Sequence, residues 1–148
     1  MALLISALLT YNIPLSIELQ HYTQTICAEY NVDPILAFAV MEQESRFTSD
    51  IVSQGGDYGL MQVNRTNHEW LSEVLGITDF LDPEQNILAG VYMLSVLEHP
   101  SVHHTLMAYN MGLGSANRNF VDYIWANKYS NQVVQRMIDI GGNVDEID

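Results

Sequence analysis

The stretch PILAFAVMEQES, residues 34–45, decides the fold of this chain. It is apolar almost all the way round, which marks a helix buried on most sides. Asp33 stands at the cap position and Pro34 at the first helical position, where a missing N–H does no harm. The helix ends, however, in two carboxylates, Glu42 and Glu44. Residues two apart on a helix point about 200° apart, so one faces the core or a cleft and the other faces solvent. A carboxylate at the end of a buried helix is costly unless it is paired, hydrogen-bonded or protonated. The same desolvation raises its pKa toward the range that a general acid needs at neutral pH.

Helical signals continue on both sides of this segment. Leu15, Leu19, Tyr22 and Ile26 recur at the spacing of one helical face, behind an opening at Pro14 and Ser16. Residues 48–58 carry turn chemistry without a period, and a small hairpin is expected there if anywhere. Thr66 and Glu69 form a capping-box pattern for a helix that stops at Gly76. Asp82 and Pro83 repeat the cap-then-proline start ahead of a stripe of Ile87, Val91, Leu94 and Leu97. Pro100 and Ser101 end that helix and start VHHTLMAYN, and MGLGS then leads into one or two helices over 116–139. No segment alternates like a strand. The expected fold is all-α, with seven helices and at most a minor β-hairpin.

The 148 residues fit one domain. We divide them into an apolar N-terminal segment (1–14), a globular body (15–139) and an acidic tail (140–148). The first segment has the character of a signal remnant, a hydrophobic strap or the edge of a larger parent chain. It is too short to span a bilayer. The net charge is −13, with five Lys and Arg in the whole chain. That balance lacks the basic footprint of a nucleic-acid binder or of a polybasic membrane site. The single cysteine, Cys27, excludes an intrachain disulfide and a cysteine-rich metal site, and its apolar context makes it a core thiol. His99 and His103 are four apart, but Pro100 breaks the helix that would align them. With His68 and His104 they form no HExxH pattern, so no metal site is expected.

Four blocks, taken in order, resemble the soluble type of lytic transglycosylases and, more distantly, the goose-type lysozymes. They are MEQESRF (41–47), SQGGDYGLMQV (53–63), NILAGVYML (86–94) and MAYNMG (107–112). Ser53 follows Glu44 by nine positions and Gln62 follows it by eighteen, which is the family's usual spacing. The resemblance covers roughly residues 15–125 and implies a lysozyme-like catalytic domain over 15–139. It implies Glu44, followed by Ser45, as the sole catalytic acid and base, with Glu42 on the other face. The substrate it implies is the peptidoglycan glycan strand, cut between N-acetylmuramic acid and N-acetylglucosamine outside the cytoplasm, without cofactor or metal.

By position in the same motifs, Tyr109 is expected to direct its hydroxyl at Glu44. Ser45, Ser53, Gly59, Met61, Gln62 and Asn110 are expected at the substrate, with Met61 also fitting a cleft wall or core. Asn86 fits a structural hydrogen-bonding role. Asp57 is the candidate second carboxylate. After GLMQ this chain continues with Val63, Asn64 and Arg65, nearer the goose-type pattern. Hydrolysis therefore stands as an alternative to formation of a 1,6-anhydro ring, beside a silent glycan-binding module. The acidic surface suggests that targeting to an anionic wall comes from a larger protein or particle.

Overall fold

The computed structural model describes residues 8–141. Among them are seven α-helices: α1 (Ile17–Tyr30), α2 (Pro34–Ser45), α3 (His68–Leu75), α4 (Pro83–Val96), α5 (Val102–Met111), α6 (Leu113–Val121) and α7 (Lys128–Ile140). A two-stranded antiparallel hairpin, β1 (Asp57–Tyr58) and β2 (Val63–Asn64), precedes a 3₁₀ turn over Arg65–Asn67. The all-α expectation is met. The acidic tail beyond residue 141 and the first seven residues of the apolar segment lie outside the described residues.

Helix α2 occupies the centre. Ala37, Phe38, Ala39, Val40 and Met41 are wholly buried, as an all-round apolar sequence requires. The Asp33 carboxylate accepts the Ile35 N–H, and Asp82 does the same for Gln85 at the start of α4. Helix α7 lies along α2, α4 packs on α1, and α5 contacts both α6 and α7. The two helices nearest the ends of the sequence thus brace the middle. Cys27 is buried, and burial pushes its thiol up to about 12, so it is an inert part of the core.

Several details differ from expectation, each for a local reason. The buried face of α1 runs through Gln20, Thr23, Ile26 and Cys27, while Leu19 and Tyr22 are only partly covered. The Gln20 amide turns inward because residues 11–15 supply its partners. It donates to the Tyr11 and Leu15 carbonyls (3.2 and 2.9 Å) and accepts the Tyr11 N–H (2.8 Å). A buried amide with its bonds made carries little penalty. Gln24 exchanges a second pair of bonds with Leu9, so residues 9–15 form a strap along α1.

The hairpin falls at 57–64 rather than 48–58, and the earlier stretch contributes one bridge, Val52 to Tyr58. Gly59 and Gln62 take left-handed backbone angles (φ 73° and 50°) that turn the chain between the strands. Thr66 does not open α3. The Asn64 side chain accepts the Thr66 N–H and caps the 3₁₀ turn, which delays α3 to His68. Helix α4 stops at Val96, before Pro100, and side chains take over the link to α5: His99 Nδ1 accepts the Ser101 N–H, and Thr105 Oγ1 accepts the His99 N–H.

Candidate active site

The two glutamates at the end of α2 sit in opposite surroundings. Glu42 faces the surface, where its carboxylate pairs with Arg136 Nη1 at 3.1 Å. The same arginine donates through Nε to Gln43 (2.8 Å), fastening α7 to α2. Glu44 faces a cleft of about 460 Å³ that Asp57, Gln62, Asn64, Tyr109 and Asn110 also line. Its Oε1 accepts a 2.6 Å bond from the Tyr129 hydroxyl on α7. Burial raises the Glu44 carboxyl to about 6, against the lowering effect of the Tyr129 bond, and the Asp57 charge adds to the rise. Burial and the Glu44 charge push the Tyr129 hydroxyl far up, so it remains a donor throughout the neutral range.

Asp57 is held from both sides. Ser53 Oγ donates to Oδ2 (2.8 Å) and Asn64 Nδ2 donates to Oδ1 (2.9 Å), while the Asp57 N–H closes the loop onto Ser53 Oγ (3.0 Å). Ser53 is thus turned toward Asp57, and the hairpin presents this carboxylate at the cleft in one orientation.

The GLMQ segment is the scaffold that connects these parts. Leu60 and Met61 are buried. Ser45 Oγ donates to the Leu60 carbonyl (2.7 Å), and Tyr109 donates its hydroxyl to the Met61 carbonyl (2.8 Å). The Asn86 side chain accepts the Met61 N–H and donates to the Tyr58 and Phe80 carbonyls, which makes it the structural hydrogen-bonder expected. Gly59 lies so close to Asn86 that a Cβ there would run into the amide. Gly90 leaves room for the Met61 side chain in the same way.

Three expectations, for Tyr109, Ser45 and Gly59, are corrected by this geometry, and Met61 takes the core position already allowed for it. Tyr109 does not bond to Glu44, because a buried carbonyl needs a partner and Met61 takes its hydroxyl. Its ring still lines the cleft, and burial with the charges of Glu44 and Asp57 raises its pKa. Ser45, Met61 and Gly59 are buried behind the cleft wall and support it, out of reach of a ligand. Gln62 and Asn110 do line the cleft, and the Gln62 amide donates back to the Gly59 carbonyl at 3.0 Å.

Tyr129 is the residue that sequence reasoning missed. It lies 85 positions after Glu44, outside all four motif blocks, in a helix whose Ser130, Val133 and Met137 are buried. A tyrosine on such a face reads as core. The histidines are engaged separately: His68 stacks on Phe80 (3.7 Å), His99 stacks on His104 (4.1 Å), and His103 meets Ser130 Oγ (3.0 Å). Among the described residues no three His, Cys, Asp or Glu gather as a metal site.

The chain is similar to known proteins over most of its length. Residues 21–131 match the family model described as the transglycosylase SLT domain. A transglycosylase of Enterobacteria phage PRD1 is 35% identical over 92 residues, covering 61% of this chain and 33% of that protein. The membrane-bound lytic murein transglycosylase F of Desulfosudis oleivorans is 39% identical over 85 residues, covering 51% of this chain and 18% of its own. The 70 kDa soluble lytic transglycosylase of Escherichia coli shares the fold, with a TM-score of 0.73 at 18% identity, over 86% of this chain and 25% of that one. The chain therefore spans a third or less of the length of these relatives.

Proposed function

Because the chain belongs to the transglycosylase SLT domain family, we propose that it cleaves peptidoglycan glycan strands at the β-1,4 bond between N-acetylmuramic acid and N-acetylglucosamine. The observation that carries this reading is one carboxyl group, Glu44, raised to about 6 by burial and oriented by Tyr129 inside a cleft. Protonated Glu44 gives its proton to the glycosidic oxygen as the bond to the anomeric carbon breaks, and the leaving sugar departs with a new hydroxyl. The 2-acetamido carbonyl supports the positive charge left on that carbon. Glu44, now ionised, takes the proton of the sugar's own 6-hydroxyl while its oxygen closes onto the anomeric carbon. The product is a 1,6-anhydromuramic end, and Glu44 is again protonated. One residue serves as acid and then as base.

Glycosidases ordinarily use two carboxyl groups. Asp57 is the second acid at this cleft, and its presence there favours a competing reading: lysozyme-like hydrolysis, with Asp57 activating water. Against that, each Asp57 oxygen already accepts a hydrogen bond, which weakens it as a base. The 6-hydroxyl is tethered to the reacting ring, an advantage of several kcal/mol over free water. Weighing the muropeptides from digested peptidoglycan separates the two, since an anhydro end is lighter by one water. We expect anhydro ends to predominate. Mainly reducing ends would leave a lysozyme, and Asp57→Asn would then be nearly as damaging as Glu44→Gln.

The domain acts on the cell wall, outside the cytoplasm, as one part of a larger protein or particle. Its charge of −13 supports that arrangement, because the domain alone has little attraction for an anionic wall. Among the described residues no helix is long and apolar enough to cross a membrane.

A further inference from the structure

The cleft draws on a second kind of lining that the chemistry at Glu44 does not use. Trp70 from α3, Met93 and Val96 from α4, Leu97 just after it, and Leu113 from α6 form an apolar set without a charged member. Trp70, Val96 and Leu113 are large and yet 38%, 54% and 49% exposed. Scattered singly, such residues need no explanation; gathered on one cleft, they mark a binding surface.

The indole of Trp70 is braced from behind. Its ring lies 5.8 Å from that of Tyr92, tilted by 47°, and Tyr92 meets Tyr30 edge-on at 5.5 Å. This aromatic row ties the indole to α4 and α1 and leaves it partly open to solvent. Three residues before it, at the cap position of α3, stands Asn67. An asparagine there usually accepts a backbone N–H and stabilises the helix. Asn67 ends the 3₁₀ turn with its backbone already helical (φ −97°, ψ −7°), makes no cap bond, and lines the cleft. Asn67 and Trp70 stand three positions apart and both line this cleft, so an amide and an indole face the same space.

A pyranose ring presents apolar C–H groups on its faces and hydroxyl or acetamido groups around its rim. A flat aromatic face beside an available amide matches both. Resting on the glycan-cleaving reading above, we propose that Trp70 is a sugar-stacking platform: a ring of the strand lies against the indole while Asn67 pairs with the rim. The platform recognises the carbohydrate itself and not the peptide stem, because an indole face and an amide match the C–H face and polar rim of a sugar ring. It sets how tightly the strand is held and leaves the bond-breaking step to Glu44.

The chain has two tryptophans, Trp70 and Trp125, and Trp125 lies outside the cleft lining, so the test can be optical. In Glu44→Gln/Trp125→Phe protein, Trp70 is the sole indole and turnover is blocked. Titration with a peptide-free oligomer of β-1,4-linked N-acetylglucosamine should shift its emission, with calorimetry measuring the same binding independently. Trp70→Ala should weaken binding about tenfold and Trp70→Phe, which keeps the packing on Tyr92, about threefold. On cell walls the same two variants should raise KM more than they lower kcat. Binding by calorimetry with unchanged Trp70 emission, and equal affinity in Trp70→Phe and Trp70→Ala, would overturn the platform and leave the glycan-cleaving reading intact. A response only to peptide-bearing fragments would overturn it in favour of a peptide site. Absence of any oligomer binding overturns it as well, and lysis of walls by the parent protein then decides whether the enzymatic reading stands.

Discussion

Glu42 and Glu44 are the same residue, two positions apart on one helix, and they live in different chemical worlds. Glu42 pairs with a half-exposed arginine at the surface. Glu44 shares a cleft with Asp57, a tyrosine hydroxyl at its oxygen and its carboxyl raised to about 6. Both environments come from the same partner helix, since Arg136 and Tyr129 both belong to α7. Residue type therefore says little here. What separates a solvated charge from a desolvated, raised carboxyl is which face of α2 the side chain leaves from, and what α7 brings to that face.

The sharpest way to break the comparison is to neutralise each acid in turn. Glu44→Gln removes the proposed proton donor and should lower lysis of cell walls by on the order of 10²–10⁴, measured as turbidity loss. Glu42→Gln should retain most of the activity. Equal losses would mean that the two faces have been assigned wrongly.

A second difference concerns stability. A carboxyl raised from 4.5 to about 6 favours the proton-bound fold. No penalty is present below pH 4.5, where Glu44 is protonated in both states. The penalty builds as pH rises through 6 and amounts to about 2 kcal/mol above it. Glu44→Gln should therefore raise the melting temperature at pH 8 and leave it nearly unchanged at pH 4. A uniform change at both values would show that the cleft does not desolvate this group.

Third, Tyr129→Phe should lower activity about tenfold, the cost of one hydrogen bond to a charged group at the low end of its range. Because that bond holds the Glu44 pKa down, its loss should also move the alkaline limb of the pH–rate profile upward. Tyr109→Phe should leave the limb where it is, since its hydroxyl serves the Met61 carbonyl. The smallest effect belongs to the surface pair: Glu42→Gln should change stability by less than about 1 kcal/mol, as exposed ion pairs do. Thermal melts of the single variant are sufficient to check it.

Much of this is legible in the sequence. An all-round apolar helix with a cap and a proline marks the centre of the fold, but its pattern leaves Glu42 and Glu44 open, and only the resemblance of the four blocks points to Glu44. Capping residues fared well where one side chain competes for one N–H, at Asp33 and Asp82, and failed at Thr66, where Asn64 captures the donor first. Motif residues were harder to place, because a motif marks a necessary residue without telling which way it faces. Ser45 and Met61 are needed for the turn that frames the cleft rather than for the cleft itself. Tyr129 was illegible in principle: its contact with Glu44 spans 85 residues and depends on how α7 lies on α2, which no local pattern encodes.

That long span also bears on the order in which the domain is made. A chain emerges from the ribosome from its N-terminal end, and its early helices can begin to pack before the last is complete. Glu44 is present from the second helix onward, yet its hydroxyl partner arrives with the seventh, after the hairpin and α3 to α6 have been translated. Until α7 settles, Glu44 lacks the neighbour that orients it, and the salt link at Arg136 is open as well. The Glu44 carboxyl thus gains its oriented position only when α7 packs on α2, in the same step that closes the Arg136 link.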